Sequence, residues 1–101
     1  MKHSRPLEIA AVHPAFAGHF PDRPILPGVV LLNEAARLIG DALAAEAPRL
    51  WEVERVKFLQ PALPGDRLQL SWETTRAGAV SFRIERAGRP LAVGVLRLRP
   101  A

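Results

Sequence analysis

Four residues in this sequence carry the types needed for proton-transfer and carbonyl chemistry: His19, Gly28, and the adjacent pair Asn33 and Glu34. Histidine is the side chain best suited to moving a proton near neutral pH. His19 is flanked by Gly18 and by Phe20-Pro21, so its backbone is constrained on both sides. A lone loop histidine is more often a hydrogen-bonding structural residue. Gly28 follows Pro27 and precedes an apolar run, and no Ser, Thr, Asp or Asn stands at the cap position. Gly28 there is only a moderate N-cap. Unpaired amides at a helix start, backed by the positive end of the dipole, bind an anion or a polarised carbonyl. Water or a neighbouring loop can also satisfy them.

Other chemistries find no support. The chain has no cysteine, which removes disulfides, thiolate nucleophiles and the common zinc sites. His3, His13 and His19 lack metal-ligand spacing, and Ser4, Ser71 and Ser81 have no nucleophile-elbow motif. There is no Gly-rich phosphate loop. His13 reads as structural, and so does His3, in a frayed terminus. The few aromatics are not interleaved with basic residues, which argues against single-stranded nucleic acid. Trp51 and Trp72 read as core or sheet-packing residues.

The elements that must position these residues follow from periodicity. Arg5–Val12, with the apolar run Ile9–Val12, reads as a strand. Residues 13–28 are punctuated by Pro14, Pro21, Pro24 and Pro27 and form an ordered loop. Val29–Glu46 is a helix whose Asn33, Glu34, Arg37, Gly40 and Asp41 share one sector, so it should be mostly buried apart from a polar stripe; Pro48 stops it. Trp51–Gln60, Arg67–Arg76, Ala79–Ala87 and Pro90–Arg99 read as four strands, with Leu68, Leu70, Trp72 and Val80, Phe82, Ile84 alternating. Short gaps with Gly78 and Gly88 favour antiparallel hairpins. The expected fold class is α+β, a curved antiparallel sheet wrapped around one helix.

The 101 residues, 49% of them hydrophobic, are read as a single domain spanning 1–101. A chain this small buries a modest share of its surface and often oligomerises. The net charge of +4 lies in the C-terminal part, where seven arginines of 66–101 face Asp66, Glu73 and Glu85. Such a surface suits an acidic protein partner as well as nucleic acid. Met1–Pro6 is polar and no apolar run long enough for an export signal follows it, so none is expected. Val29–Ala45 is interrupted by charged residues, so no membrane span is expected. The absence of cysteine fits a cytoplasmic protein.

The stretch GHFPDRPILPGVVLLNEA, Gly18 to Ala35, closely resembles the signature Gly-His-Phe-Pro-Gly-x-Pro-x-x-Pro-Gly-x-x-x-x-Glu/Asp-Ala of the hotdog-fold 3-hydroxyacyl-ACP dehydratases. With HPAF upstream, the chain is most similar to the small dehydratase-like proteins of aryl-polyene and fatty-acid synthesis. VKFLQPALPGD at 56–66 is a second, weaker match. The resemblance implies a helix enclosed by the sheet, and two protomers sharing one continuous sheet. It places the base at His19 and the carbonyl-polarising amide at Gly28, with Phe20, Pro27 and Val29 beside the substrate. Pro21, Pro24 and Pro27 then stiffen the loop that keeps base and amide in register. The implied partner is an acidic acyl-carrier protein, with Arg23 and the C-terminal arginines as candidate contacts. No cofactor or metal is implied.

One position departs from the family. Its acid falls fourteen residues after the histidine, at Asn33. An amide can hydrogen-bond a hydroxyl but cannot act as a general acid at neutral pH. Asp22 is a milder departure, at the turn where the family has glycine. Glu34 lies about 100° further round the helix and is either a substitute acid or the i,i+3 partner of Arg37, with Asp41 joining from the other side. Three readings follow: a dehydratase, a catalytically impaired subunit that binds acyl thioesters or completes a heterodimer, and a hotdog thioesterase. The dehydratase is favoured.

Overall fold

The structure, a computed structural model, describes residues 2–9, 26–42, 49–76 and 78–100. Five strands and one helix run in the order β1 (Lys2–Glu8), α1 (Gly28–Ala42), β2 (Arg49–Phe58), β3 (Arg67–Arg76), β4 (Ala79–Arg86) and β5 (Arg89–Pro100). The strands form one antiparallel sheet ordered β1-β3-β4-β5-β2.

Alternation places one face of this sheet in the core. Leu70 pairs with Ile84 and Ile84 with Ala92, while Trp72 pairs with Phe82 and Val80 with Leu96; all are buried. Against that face α1 lays Leu31, Ala35 and Ile39, one residue per turn. A buried Leu or Ile contributes roughly 1.5–3 kcal/mol, so this short stripe is what anchors the helix. The expected α+β arrangement of one helix on an antiparallel sheet is present. The described part of the helix is buried or half-buried apart from one exposed stripe, Val29, Asn33, Arg37 and Asp41. The sheet covers it from one side, Val30, Leu32, Ala36 and Leu38 are half-buried, and Val29 is 63% exposed.

Several boundaries differ from expectation: β2 is Arg49–Phe58 rather than Trp51–Gln60, β5 is Arg89–Pro100 rather than Pro90–Arg99, and two more have a visible cause. The first strand is Lys2–Glu8 rather than Arg5–Val12, because its register is set by β3: Leu7 opposes Leu68 and His3 opposes Trp72. His3 is therefore not frayed; its ring stacks on Trp72 with centroids 5.4 Å apart. Pro6 is tolerated because β1 is an edge strand, where a missing N–H breaks no inner ladder. Ile9 is buried and donates its N–H to the Asp66 carbonyl (2.9 Å), while 10–12 lie outside the described residues. The fourth strand ends at Arg86, because Ala87 (φ 50°) and Gly88 (φ 82°) form the two-residue turn into β5.

In β2 the pairing with β5 shifts between Val53 and Arg55. Gly94 is what lets β5 lie close to β2. A β-carbon there would stand 2.4 Å from the Arg55 carbonyl oxygen and 3.0 Å from the Phe82 ring.

Candidate active site at the start of the helix

The helix begins without a capping side chain, as its sequence implies, but one position earlier than expected. Gly28 is the first helical residue, and Pro27 supplies the capping carbonyl, which accepts from the Val30 N–H (3.0 Å) and the Leu31 N–H (3.2 Å). Pro27 has no N–H of its own. Among the described residues, the Gly28 and Val29 N–H groups have no acceptor.

Two contacts fix this helix start. Leu26 donates its N–H to the Ala62 carbonyl (2.9 Å), forming an isolated antiparallel bridge between two buried residues. The ring of Phe58, the last residue of β2, lies against Gly28: a β-carbon at 28 would stand 2.9 to 3.0 Å from its three outermost carbons. Glycine here is a requirement of close approach. Between the helix start and the chain leaving β2 lies a cavity of about 350 Å³, walled by Leu26, Pro27, Gly28, Leu31, Phe58 and the segment 59–62. The walls are mostly apolar, which suits an acyl chain or a thioester better than a charged ligand.

Of the residues singled out in the sequence, Pro27 and Gly28 line this cavity and Val29 does not. Asn33 is exposed, on a stripe with Val29, Arg37 and Asp41. Glu34 accepts a hydrogen bond from Arg37 (2.9 Å), and Asp41 stands 3.8 Å from the other side of the same guanidinium. The hydrogen bond that Arg37 donates to Glu34, then the charge of Glu34, hold the guanidinium above its ordinary pKa, with Asp41 adding less. Of the two readings of Glu34, this geometry is the ion pair. His19 and Phe20, with Pro21, Pro24, Asp22 and Arg23, lie outside the described residues. Phe58 and the bridge between Leu26 and Ala62 were not singled out. Their signal in the sequence is the VKFLQPALPGD stretch, the second and weaker match to the family.

A single helix laid on one face of a five-stranded antiparallel sheet is the arrangement of the hotdog fold. Residues 2–95 match the ApeI-like family, described as ApeI dehydratase, and the chain belongs to that family. The 3-hydroxyacyl-[acyl-carrier-protein] dehydratase FabZ of Histophilus somni is 38% identical over 76 residues, covering 67% of this chain and 50% of the relative. The chain thus spans about half the length of the curated relatives it matches. Among solved structures, the dehydratase heterocomplex ApeI:P from Xenorhabdus doucetiae superposes with a TM-score of 0.82 at 26% identity, covering 96% of this chain and 86% of that one. An (R)-hydratase from A. caviae has a TM-score of 0.73 at 19% identity, over 100% of this chain and 95% of its own, a likeness of fold alone. Among the described residues no helix is long and apolar enough to cross a membrane.

Proposed function

We propose that this chain, one hotdog domain over 1–101, is a dehydratase-like subunit acting on 3-hydroxyacyl thioesters presented by an acyl-carrier protein in the cytoplasm. The observation that carries the reading is a helix start whose Gly28 and Val29 amides have no acceptor among the described residues, with Gly28 lining an apolar cavity. In this reading the Gly28 N–H binds the thioester carbonyl as charge builds on its oxygen. His19 removes the α-proton, the C–O bond to the hydroxyl breaks, and the proton returns from His19 to the departing oxygen to make water. Asn33 orients the hydroxyl without supplying a proton. A working general acid contributes about 10²–10⁴ in rate, so the reaction is slow compared with relatives that keep the acid.

A second reading has its own support. Asn33 cannot donate a proton and Glu34 is held by Arg37, so this chain lacks a free acid at those positions. It could lend its helix start to a partner that carries one. β2 is an edge strand bearing exposed Val53 and Phe58, whereas the exposed part of β1 is polar and contains Pro6. We therefore assign the open edge of β2 to the partner protomer, a second copy or a paralogue. A thioesterase reading requires a held water at Asn33, and no described residue favours it.

The test is a mass-resolved assay of a 3-hydroxyacyl-pantetheine thioester with the wild type, His19→Ala and Asn33→Asp. Water loss by the wild type that disappears in His19→Ala supports the dehydratase. A silent wild type with activity in Asn33→Asp supports the impaired subunit. Free thiol release in place of water loss would identify a thioesterase.

A further inference from the structure

The bridge from Leu26 to Ala62 holds the helix start over the cavity, which raises the question of what holds Ala62. It belongs to an irregular segment between β2 and β3, with backbone bonds to β5 only at its beginning, where the Leu59 and Gln60 N–H groups donate to the Leu91 carbonyl. On either side of Ala62 the segment is gripped from β4. Arg86 donates through Nη2 to the Pro61 carbonyl (2.9 Å) and to Asp66 Oδ2 (2.6 Å). Asp66 Oδ2 in turn accepts from the Leu63 N–H (2.7 Å), closing the Leu63–Asp66 turn, in which Gly65 has φ 78° and the Asp66 N–H returns to the Leu63 carbonyl (3.1 Å). Residues 61 and 63 are thus both fixed by one guanidinium and its carboxylate, and Ala62 is carried between them.

The arrangement is more than a surface ion pair. The Asp66 side chain is 14% exposed, and Arg86 Nε is buried without an acceptor among the described residues. Both bonds from Nη2, one to a carboxylate and one to a backbone carbonyl, are charge-assisted and so hold the guanidinium in a defined place. Asp66 also accepts the Ile9 N–H on its backbone oxygen, which ties the clamp to the chain leaving β1.

We propose that Arg86, with Asp66, is a positioning residue for the helix-start amides: it fixes the segment 61–63, whose Ala62 carbonyl holds Leu26 and through it Pro27 and Gly28. This rests on the reading of Gly28 as the carbonyl-binding amide. Arg86 bonds to Pro61 and Asp66 and does not line the cavity, so its effect falls on the fit between amide and developing oxyanion.

Hydrogen exchange of the wild type, Arg86→Ala and Arg86→Lys tests the linkage without requiring activity. The Leu26 amide should lose protection at least tenfold in Arg86→Ala while amides of the β3–β4 ladder keep theirs, and Arg86→Lys should recover part of the loss by keeping the charge on Asp66. Unchanged Leu26 protection, or an equal loss across the whole sheet, would overturn the proposal. If Arg86→Ala does not fold, the same comparison is made between wild type and Arg86→Lys. On the thioester, kcat should fall about tenfold in Arg86→Ala with KM little changed. A wild type that dehydrates no thioester would defeat the dehydratase reading, while the exchange result would still decide the linkage.

Discussion

The outermost carbons of the Phe58 ring lie 2.9 to 3.0 Å from the point that a β-carbon on Gly28 would occupy. A strand end and a helix start are thus in contact at the place where the carbonyl-binding amide is proposed. Gly28→Ala must move that ring. Phe58 is 47% exposed, so the ring has room to swing, and alanine regains up to about 1 kcal/mol of helix propensity over glycine. We expect stability to stay within about 1 kcal/mol of wild type, while the reshaped cavity lowers thioester turnover at least tenfold. Adding Phe58→Ala should restore part of that turnover, so a double-mutant cycle should be strongly non-additive. Additive effects would mean that the contact does not shape the site.

Gly94→Ala should behave in the opposite way. Here the neighbours are backbone atoms, the Arg55 carbonyl oxygen at 2.4 Å and the Val56 Cα at 3.0 Å. Neither can swing aside, so β2 must part from β5. The expected cost is about 3 kcal/mol or more, at the upper end for overpacked positions. Urea denaturation checks it, and a loss below about 1 kcal/mol would show that the two strands separate freely.

How much of this was legible in the sequence depends on the range of the interaction. The third strand was placed to the residue because Leu68, Leu70 and Trp72 alternate, and the Glu34, Arg37 and Asp41 cluster followed from helical spacing. The first strand starts three residues before the expected Arg5 because the mixed residues of Lys2–Glu8 show no local period and their pairing is dictated by β3. Leu26 with Ala62, Gly28 with Phe58 and Arg86 with Asp66 are contacts between segments far apart in the chain. No local period encodes them, and they are what position the site.

The turn between β4 and β5 offers a stabilising change. Ala87 has φ 50° and Gly88 φ 82°, the two left-handed residues of a type I′ hairpin, and Arg86 pairs with Arg89 across it. Alanine pays for its β-carbon in that region, whereas asparagine tolerates it. Ala87→Asn should raise stability by about 0.5–1 kcal/mol, measurable as a higher urea midpoint at an unchanged slope. A lower midpoint would argue against this turn geometry.

The acid position gives the most direct test of how far this chain has departed from its relatives. Asn33 is exposed, so Asn33→Asp should change stability by no more than about 0.5 kcal/mol. If residue 33 occupies the acid's place, the same substitution should raise the dehydration rate by about 10²–10⁴. Arg37→Ala separates this from a role for Glu34, because it releases that carboxylate from its 2.9 Å hydrogen bond. The raised pKa of Arg37 means that its charge contributes below the ordinary arginine value and is lost only as pH climbs through the raised one, above any practical assay. Between pH 6 and 9 the substitution therefore removes a constant interaction and should leave the pH profile of stability unchanged. The expected result is a rate gain in Asn33→Asp and none in Arg37→Ala. A gain in Arg37→Ala alone would move the acid to Glu34, held in reserve by its arginine.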